Sequence, residues 1–237
     1  MVQNIETQTE PQIIYPESDG KPMSDNTLQF SWIVKIKENL EILFAEADDV
    51  FIAGDLLWYP VQGQNKISQA PDALVVFGRP KGYRGSYLQW KEENIPPQVV
   101  FEVLSPSNTQ KEMAKKLEFY QKHGVEEYYL FDPYKIELCG WLRSDESLIV
   151  IDEIENWVSP RLNIRFELKP EDLEIYYPDG KRFLSPVELS KLAEEAEQRA
   201  EEAEQRAEEA KQRAETAEAR IKMLEERLRE AGIDPEQ

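Results

Sequence analysis

The sequence predicts an α/β protein whose core elements follow the order helix, three strands, helix, strand (αβββαβ), with added hairpins and a long C-terminal helix. Three observations predict this class. An apolar stripe at helical spacing comes first, short runs of β-branched and aromatic residues follow, and a heptad repeat occupies the last part of the chain. The first three strands can form a meander, and the helix after the third strand can cross over to the fourth.

The core is predicted to begin after a flexible N-terminal arm. Residues 1–22 contain three prolines and no apolar periodicity, which is typical of an extended, loosely ordered segment. A helix follows, because Ser24, Asp25 or Asn26 can cap it and apolar residues then recur once per turn. That stripe consists of Leu28, Trp32, Ile36, Leu40 and Phe44. We expect the core to span residues 23–184.

Four short runs rich in β-branched and aromatic residues predict strands. They span residues 50–59, 71–77, 97–104 and 127–131. Between the last two runs, Thr109 and Glu112 can form the capping box of a second helix, which Gly124 ends. Short alternating segments from residue 133 to residue 181 predict hairpins that are added to the core.

Residues 185–232 predict one long helix, followed by a short tail at 233–237. The seven residues 194–200 are repeated without change at 201–207. In this heptad register apolar residues fill positions a and d, Arg occupies g and Glu occupies most e positions, which suits a parallel dimer. Alanine buries little surface, however, and Glu–Arg pairs four residues apart also support an isolated helix. Two interpretations therefore remain: a coiled-coil homo-oligomer and a solitary solvated helix. In either case the helix is about 65 Å long.

Two acidic residues stand out because each belongs to an apolar run. Glu102 lies inside the run 99–104, and Asp72 opens the preceding one. A buried carboxylate is costly unless it is paired, protonated or bound to a cation. If the two strands are adjacent, Asp72 and Glu102 can bind Mg²⁺ or Mn²⁺, with the backbone carbonyl of Val103 completing the ligand set. Asp55 is a further candidate ligand. The alternative is that each acid caps a strand end or pairs with a lysine.

Lys116 is the third candidate catalytic residue. It borders the inward stripe of the second predicted helix, between Met113 and Tyr120. A lysine beside a phosphate that a metal ion holds can neutralise charge in the transition state. The alternative is an ordinary surface pair with Glu112, four residues earlier.

The net charge of −19 is unfavourable for nucleic-acid binding overall, so any DNA contact must come from a local basic patch. The loop with Arg79, Lys81 and Arg84 mixes cations with aromatic residues and is our candidate for that contact. Such loops are also common solvated connectors.

A single cysteine, Cys139, excludes an intrachain disulfide, and we expect its thiol to be packed. The N-terminus does not resemble a signal peptide and no apolar stretch is long enough to span a membrane, so we expect a cytoplasmic protein.

Several motifs, taken in order, resemble the Uma-type putative restriction endonuclease family of the PD-(D/E)XK nuclease superfamily. They are Gly54–Leu56, Ala70–Asp72, Phe77–Gly82, Phe101–Ser107, Lys116–Tyr120 and Gly124–Tyr128. The likeness covers residues 18–186 and implies a restriction-endonuclease-like core with Asp72 and Glu102 as metal ligands. The superfamily lysine is expected where this chain has Leu104, and the resemblance implies that Lys116 takes its place.

Together these observations predict a Mg²⁺-dependent endonuclease that hydrolyses DNA phosphodiester bonds through metal-activated water. Two alternatives stay open. The core can be an inactive nuclease fold that presents a coiled coil to partners, which Leu104 and the net negative charge favour. It can also be a hydrolase of small phosphoesters.

Overall fold

The structure is a computed structural model that describes residues 13–20, 24 and 26–231. Most of the predicted arm, the candidate cap Asp25 and the predicted tail at 233–237 lie outside the described residues. The chain divides into two compact units, Met1–Ser185 and Pro186–Gln237.

The described part of the first unit contains ten strands, six of which form its central sheet. The strands are β1 (Val50–Ala53), β2 (Trp58–Tyr59), β3 (Ala73–Phe77), β4 (Tyr87–Leu88), β5 (Val99–Val103), β6 (Glu127–Asp132), β7 (Glu137–Ser144), β8 (Ser147–Val150), β9 (Arg165–Leu168) and β10 (Leu173–Tyr176). The helices are α1 (Thr27–Leu43), α2 (Gln110–Lys122) and α3 (Pro186–Glu230), with a short 3₁₀ turn at Gln89–Lys91. The order in the large sheet is β1-β3-β5-β6-β7-β8. Only the β5–β6 pair is parallel there, because α2 crosses over between these strands.

This arrangement confirms the predicted αβββαβ core and the added hairpins. The strands β1, β3 and β5 form the antiparallel meander, and β7–β8 and β9–β10 are the hairpins. The short strands β2 and β4 pair in parallel outside the large sheet.

Each face of the large sheet packs against one helix. Residues on one face of β3, β5 and β6, such as Phe101 and Tyr129, form a core with Trp32 and other residues of α1. The alternate residues of the same strands, such as Val100, pack with Tyr120 of α2. Side chains on β5 therefore point alternately toward α1 and toward α2.

The first helix departs from its predicted stripe. Asn26 caps α1, since its side chain accepts a hydrogen bond of 3.0 Å from the Gln29 amide. The prediction is wrong at Leu28, which is exposed. The buried face instead includes Gln29, Trp32, Ile33, Ile36 and Leu40, because residues three and four apart share one side of a helix.

The first predicted strand is also wrong in its length. It was expected at 50–59, but β1 ends at Ala53. Asp55 adopts a φ of 49°, in the left-handed region, and this residue separates β1 from the short strand β2. The prediction that Asp55 lies within a strand is therefore incorrect.

The second helix agrees with its prediction more closely. Thr109 caps α2 by accepting a hydrogen bond of 3.2 Å from the Glu112 amide, and Gly124 follows the helix at a φ of 94°. Residues 13–20, the described part of the predicted arm, form neither a helix nor a strand. Tyr15 packs against Tyr59, whose hydroxyl donates to the carbonyl oxygen of Pro16 at 2.8 Å.

The second unit is built on α3, which has 45 residues and confirms the predicted long helix. None of its described residues is buried. Ion pairs four residues apart run along it: Glu195–Arg199, Glu202–Arg206 and Glu209–Arg213. In the described part of the chain, no helix is long and apolar enough to cross a membrane.

Candidate active site

Asp72 and Glu102 lie side by side on the α2 face of the sheet. Ala73 pairs with Phe101 across β3 and β5, so the next position in this antiparallel register places Asp72 opposite Glu102. Both residues are buried, with exposed fractions of 8% and 3%. The backbone amide of Val103 donates a hydrogen bond of 2.6 Å to Asp72 Oδ2. The structure therefore brings the two predicted acids together.

Helix α2 supplies two side chains to Glu102. Lys116 Nζ lies 2.7 Å from Glu102 Oε2, and the Tyr120 hydroxyl donates to Oε1. Lys116 and Tyr120 are one turn apart, so they reach the sheet from the same side of the helix. Lys116 thus forms its ion pair with Glu102 rather than with Glu112, the alternative partner.

The charges of these groups are strongly coupled. Burial, followed by the charge of Glu102, raises the pKa of Asp72 well above its ordinary value, although Lys116 and the Val103 amide oppose the shift. Burial alone would lower the pKa of Lys116, but the charges of Glu102 and Asp72 outweigh burial and raise it. Lys116 therefore stays protonated at neutral pH. A further positive charge beside Asp72 and Glu102 would reduce the repulsion between their carboxylates.

Two residues of this site, Gln29 and Tyr120, were not assigned a role from the sequence. The Gln29 side chain donates a hydrogen bond of 2.8 Å from Nε2 to the carbonyl oxygen of Val103. Gln29 occupies a position of the buried stripe of α1, and a polar residue at such a position is the signal that could have indicated it. Tyr120 lies four residues after Lys116 and so on the same side of α2, and this spacing could have indicated that both side chains reach Glu102.

The donor set fits a hard divalent cation. Asp72 and Glu102 offer carboxylate oxygens, and the Val103 carbonyl, which can accept twice, offers a third oxygen. Within the described residues, no group of three or more His, Cys, Asp or Glu side chains is arranged to hold a metal ion.

Asp55 donates its backbone amide to the Pro71 carbonyl at 3.1 Å, beside the start of β3. Burial, then the charge of Asp19, raises the Asp55 pKa, and Glu102 and Lys116 also act on it.

Comparisons with known proteins identify the family. The model of the Uma2 family, described as a putative restriction endonuclease, matches residues 19–171. The chain belongs to the Uma2 family. A crystal structure of a putative nuclease belonging to DUF820 from Anabaena variabilis is similar, with a TM-score of 0.44 and 20% identity over 59% of this chain and 74% of that chain. No curated protein matches the chain. Membership of Uma2 supports nuclease activity in general.

The candidate DNA-contact residues of this Uma2 protein are bound by other groups of the chain. Arg79 Nε lies 2.9 Å from Glu92 Oε2, and Arg84 Nε lies 2.7 Å from Glu92 Oε1. Lys81 Nζ donates to the carbonyl oxygens of Phe44 and Ala45. Among the described residues, no hydrogen bond or ion pair joins these three cations to Asp72 or to Glu102. Their contacts stabilise the loop, so a DNA contact there stays a prediction.

A groove that the sequence did not indicate adjoins Glu102. It has a volume of about 720 Å³ and lies between α2 and the strands β6 and β7. Its lining includes Met113, Leu117, Tyr128, Leu130 and Trp141. Leu130 is the register partner of Glu102 in the parallel β5–β6 pair, which places the groove on the same face of the Uma2 sheet. The Tyr128 hydroxyl is buried without a hydrogen-bond partner in the described parts of the chain.

One smaller prediction needs correction. The Cys139 thiol was expected to be packed, but the residue is exposed. It lies on β7, where successive residues alternate between the two sides of the sheet.

Proposed function

We propose that this Uma2 protein is a Mg²⁺- or Mn²⁺-dependent endonuclease that hydrolyses DNA phosphodiester bonds. The observation that carries the proposal is the convergence of Asp72, Glu102 and Lys116 at one place on the sheet. Family membership supports a nuclease, and the paired acids support the dependence on a metal ion.

In this proposal Asp72, Glu102 and the Val103 carbonyl hold the ion. The bound ion would polarise a phosphoryl oxygen and lower the pKa of a bound water molecule. The Val103 amide fixes one oxygen of Asp72, and Gln29 orients the Val103 carbonyl from the other face. These contacts hold the ligand oxygens in place before any ion binds, which limits the reorganisation that binding requires.

Lys116 stabilises the negative charge that develops on the phosphoryl oxygens. Its raised pKa keeps it cationic, and its position 2.7 Å from Glu102 places that charge at the ligand set. Leu104, at the expected superfamily lysine position, lines the neighbouring groove. Lys116 therefore supplies from α2 the cation that β5 lacks. The Tyr120 hydroxyl holds Glu102 in its orientation.

The groove supports a nucleic-acid substrate. Its lining includes Tyr134, which is exposed, and Trp141, which is partly exposed, and aromatic surfaces of this kind can stack on bases. Arg79, Lys81 and Arg84 stay candidate DNA contacts, provided that their present partners release them. Because the net charge of the chain is −19, its affinity for DNA must come from local contacts between such cations and phosphates, and each such contact adds to the salt dependence of binding.

An inactive nuclease fold is the second candidate. Leu104 at the lysine position and the lack of a three-carboxylate group among the described residues favour it. In that case Lys116 would serve only to neutralise Glu102.

The test is cleavage of supercoiled plasmid and labelled duplex oligonucleotides with Mg²⁺, with Mn²⁺ and with a chelator. The variants are Asp72→Asn and Glu102→Gln. We expect cleavage that requires the metal ion and is lost in both variants. Cleavage that persists in both would refute the ligand assignment. A wild-type protein without cleavage of DNA or of a chromogenic phosphodiester would favour the inactive fold.

A further inference from the structure

We propose that α3 joins two copies of this chain in a parallel, in-register coiled coil. The proposal goes beyond the nuclease function and does not depend on it. It starts from a helix of 45 residues none of whose described residues is buried, although apolar side chains recur along it at heptad spacing. A second copy of the same chain is the partner that the charges of this helix fit.

The seam of the proposed dimer follows from the repeat. Position a is occupied by Ala193, Ala200, Ala207, Ala214, Ile221 and Leu228, and position d by Leu189, Ala196, Ala203, Ala210, Ala217, Leu224 and Ala231. Ile221, Leu224 and Leu228 are exposed in the single chain. Ile at a together with Leu at d favours two strands in a parallel assembly. The alanine layers add little, so these last turns contribute most of the apolar burial.

The flanking charges determine the orientation. Position g is Arg at residues 199, 206, 213, 220 and 227, whereas position e is Glu at residues 197, 204, 218 and 225 and Lys at residue 211. In an antiparallel pair g meets g and e meets e, which would place like charges together at nearly every layer. In a parallel pair g meets the e position of the next heptad in the partner. That geometry is therefore the favoured one.

Three parallel contacts per helix are attractive and one is repulsive. Arg199 meets Glu204, Arg213 meets Glu218 and Arg220 meets Glu225, each in the other copy. Arg206 meets Lys211, which is the exception. Because all these charges come from one sequence, the pattern favours a second copy of this chain over an unrelated acidic or basic helix.

The alternative, a solitary helix, rests on a different set of contacts. Arg199 and Arg213 form ion pairs with Glu195 and Glu209 of the same helix, at 3.1 Å and 3.2 Å. These glutamates occupy position c, which does not face a partner. Substitutions at c and at g therefore disturb the same pairs within the helix, but only those at g alter contacts between helices.

The first experiment measures mass against concentration for the full chain by sedimentation equilibrium at 0.15 M salt. A monomer has a mass of 27.6 kDa, and we expect twice that value. The double variant Arg199→Glu/Arg213→Glu should raise the dissociation constant about tenfold or more, because four contacts of the dimer become repulsive. The matched control Glu195→Arg/Glu209→Arg should dimerise nearly as well as wild type.

The second experiment tests the orientation. In a Cys139→Ser background, Ala196→Cys places a thiol at position d, where a parallel in-register pair brings the two copies together. Gln198→Cys, at the outward position f, is the control. We expect a disulfide-linked dimer in a glutathione buffer for the first variant only. A monomer at about 100 µM, a trimeric mass, or equal cross-linking of both variants would overturn the proposal.

Discussion

Two buried glutamates on neighbouring strands of this sheet have opposite surroundings. Glu102 on β5 faces α2, and Glu127 on β6, on the same side as Tyr129, faces α1. Glu127 accepts hydrogen bonds from the Tyr129 hydroxyl, the Ser159 hydroxyl and the Arg161 amide, at 2.8, 2.5 and 2.7 Å. All three donors are neutral. Glu102 is bound instead by a protonated lysine and lies beside a second acid.

The difference shows which property of a buried acid indicates a site. Both residues are buried acids of apolar strands, Glu102 within β5 and Glu127 at the start of β6, so burial in a strand does not by itself indicate a site. A carboxylate whose oxygens accept from fixed neutral donors is a complete structural unit. A carboxylate next to another one keeps an unfavourable charge that a cation can remove. It is the pair, Asp72 with Glu102, that distinguishes the candidate site.

Substitution of Glu102 is expected to reduce DNA cleavage far more than substitution of Glu127. Glu102→Gln should lower the rate of metal-dependent DNA cleavage by about 10²–10³-fold or more, because it removes a charged group at the reacting centre. Glu127→Gln, the matched control, should keep the rate within about threefold of wild type at a temperature where it is folded. Single-turnover cleavage of a labelled oligonucleotide measures both. Equal losses would mean that the two glutamates do not differ in function.

The next prediction separates charge stabilisation from metal binding. Lys116→Met should reduce kcat about 100-fold, since the transition state loses its nearby cation. Mn²⁺ binding should be retained, because the carboxylates remain. Lys111→Met, on an exposed position of the same helix, is the control and should have no effect. Calorimetry and steady-state kinetics on the two variants provide the measurement, and loss of Mn²⁺ binding in Lys116→Met would contradict the assigned role.

Two buried tyrosines on the α2 face, Tyr120 and Tyr128, are expected to contribute differently to stability. Tyr120→Phe should lower the free energy of unfolding by about 1–3 kcal/mol, because Glu102 Oε1 loses its buried donor. Tyr128→Phe should change that free energy by no more than about 0.5 kcal/mol, since its hydroxyl has no partner among the described residues. Urea unfolding measures both changes. A larger loss for Tyr128→Phe would mean that this hydroxyl has a partner.

The buried carboxyl group of Glu127 should make the stability of the fold depend on pH. Burial raises the pKa of Glu127, although the hydrogen bonds from Ser159, Tyr129 and Arg161 oppose the shift. In the unfolded state Glu127 loses its proton at a pKa of about 4.3. In the folded state its pKa is higher, so the folded protein keeps this proton to a higher pH. The stability of wild type relative to Glu127→Gln should therefore fall as pH rises through the folded pKa. Urea unfolding of both proteins between pH 4 and pH 8 tests the sign, and a rise would contradict it.

The sequence was sufficient for the order of elements and for the acidic pair. Thr109 and Gly124 bound the second helix through local backbone chemistry, which short motifs encode directly. Asp72 and Glu102 were indicated by apolar runs, and the meander then placed them in adjacent strands. The heptad repeat likewise predicted α3 without any tertiary contact.

What the sequence could not give depends on contacts between distant residues. Ser159 lies 32 positions after Glu127, and nothing local indicates that they meet. Gln29 likewise reaches a carbonyl 74 positions away. Arg84 looked free to bind phosphate, but Glu92 neutralises it once the loop folds. The left-handed backbone at Asp55, which shortens β1, also depends on how the chain turns there.

Calorimetric titration of Mn²⁺ into four metal-free proteins tests whether Asp72 and Glu102 together hold a divalent cation. The proteins are wild type, Asp72→Asn, Glu102→Gln and Glu127→Gln. We expect binding to wild type and to Glu127→Gln, and loss of that binding in Asp72→Asn and Glu102→Gln. Wild type without a binding signal, or four equal isotherms, would contradict the claim that the acids on the α2 face hold a divalent cation.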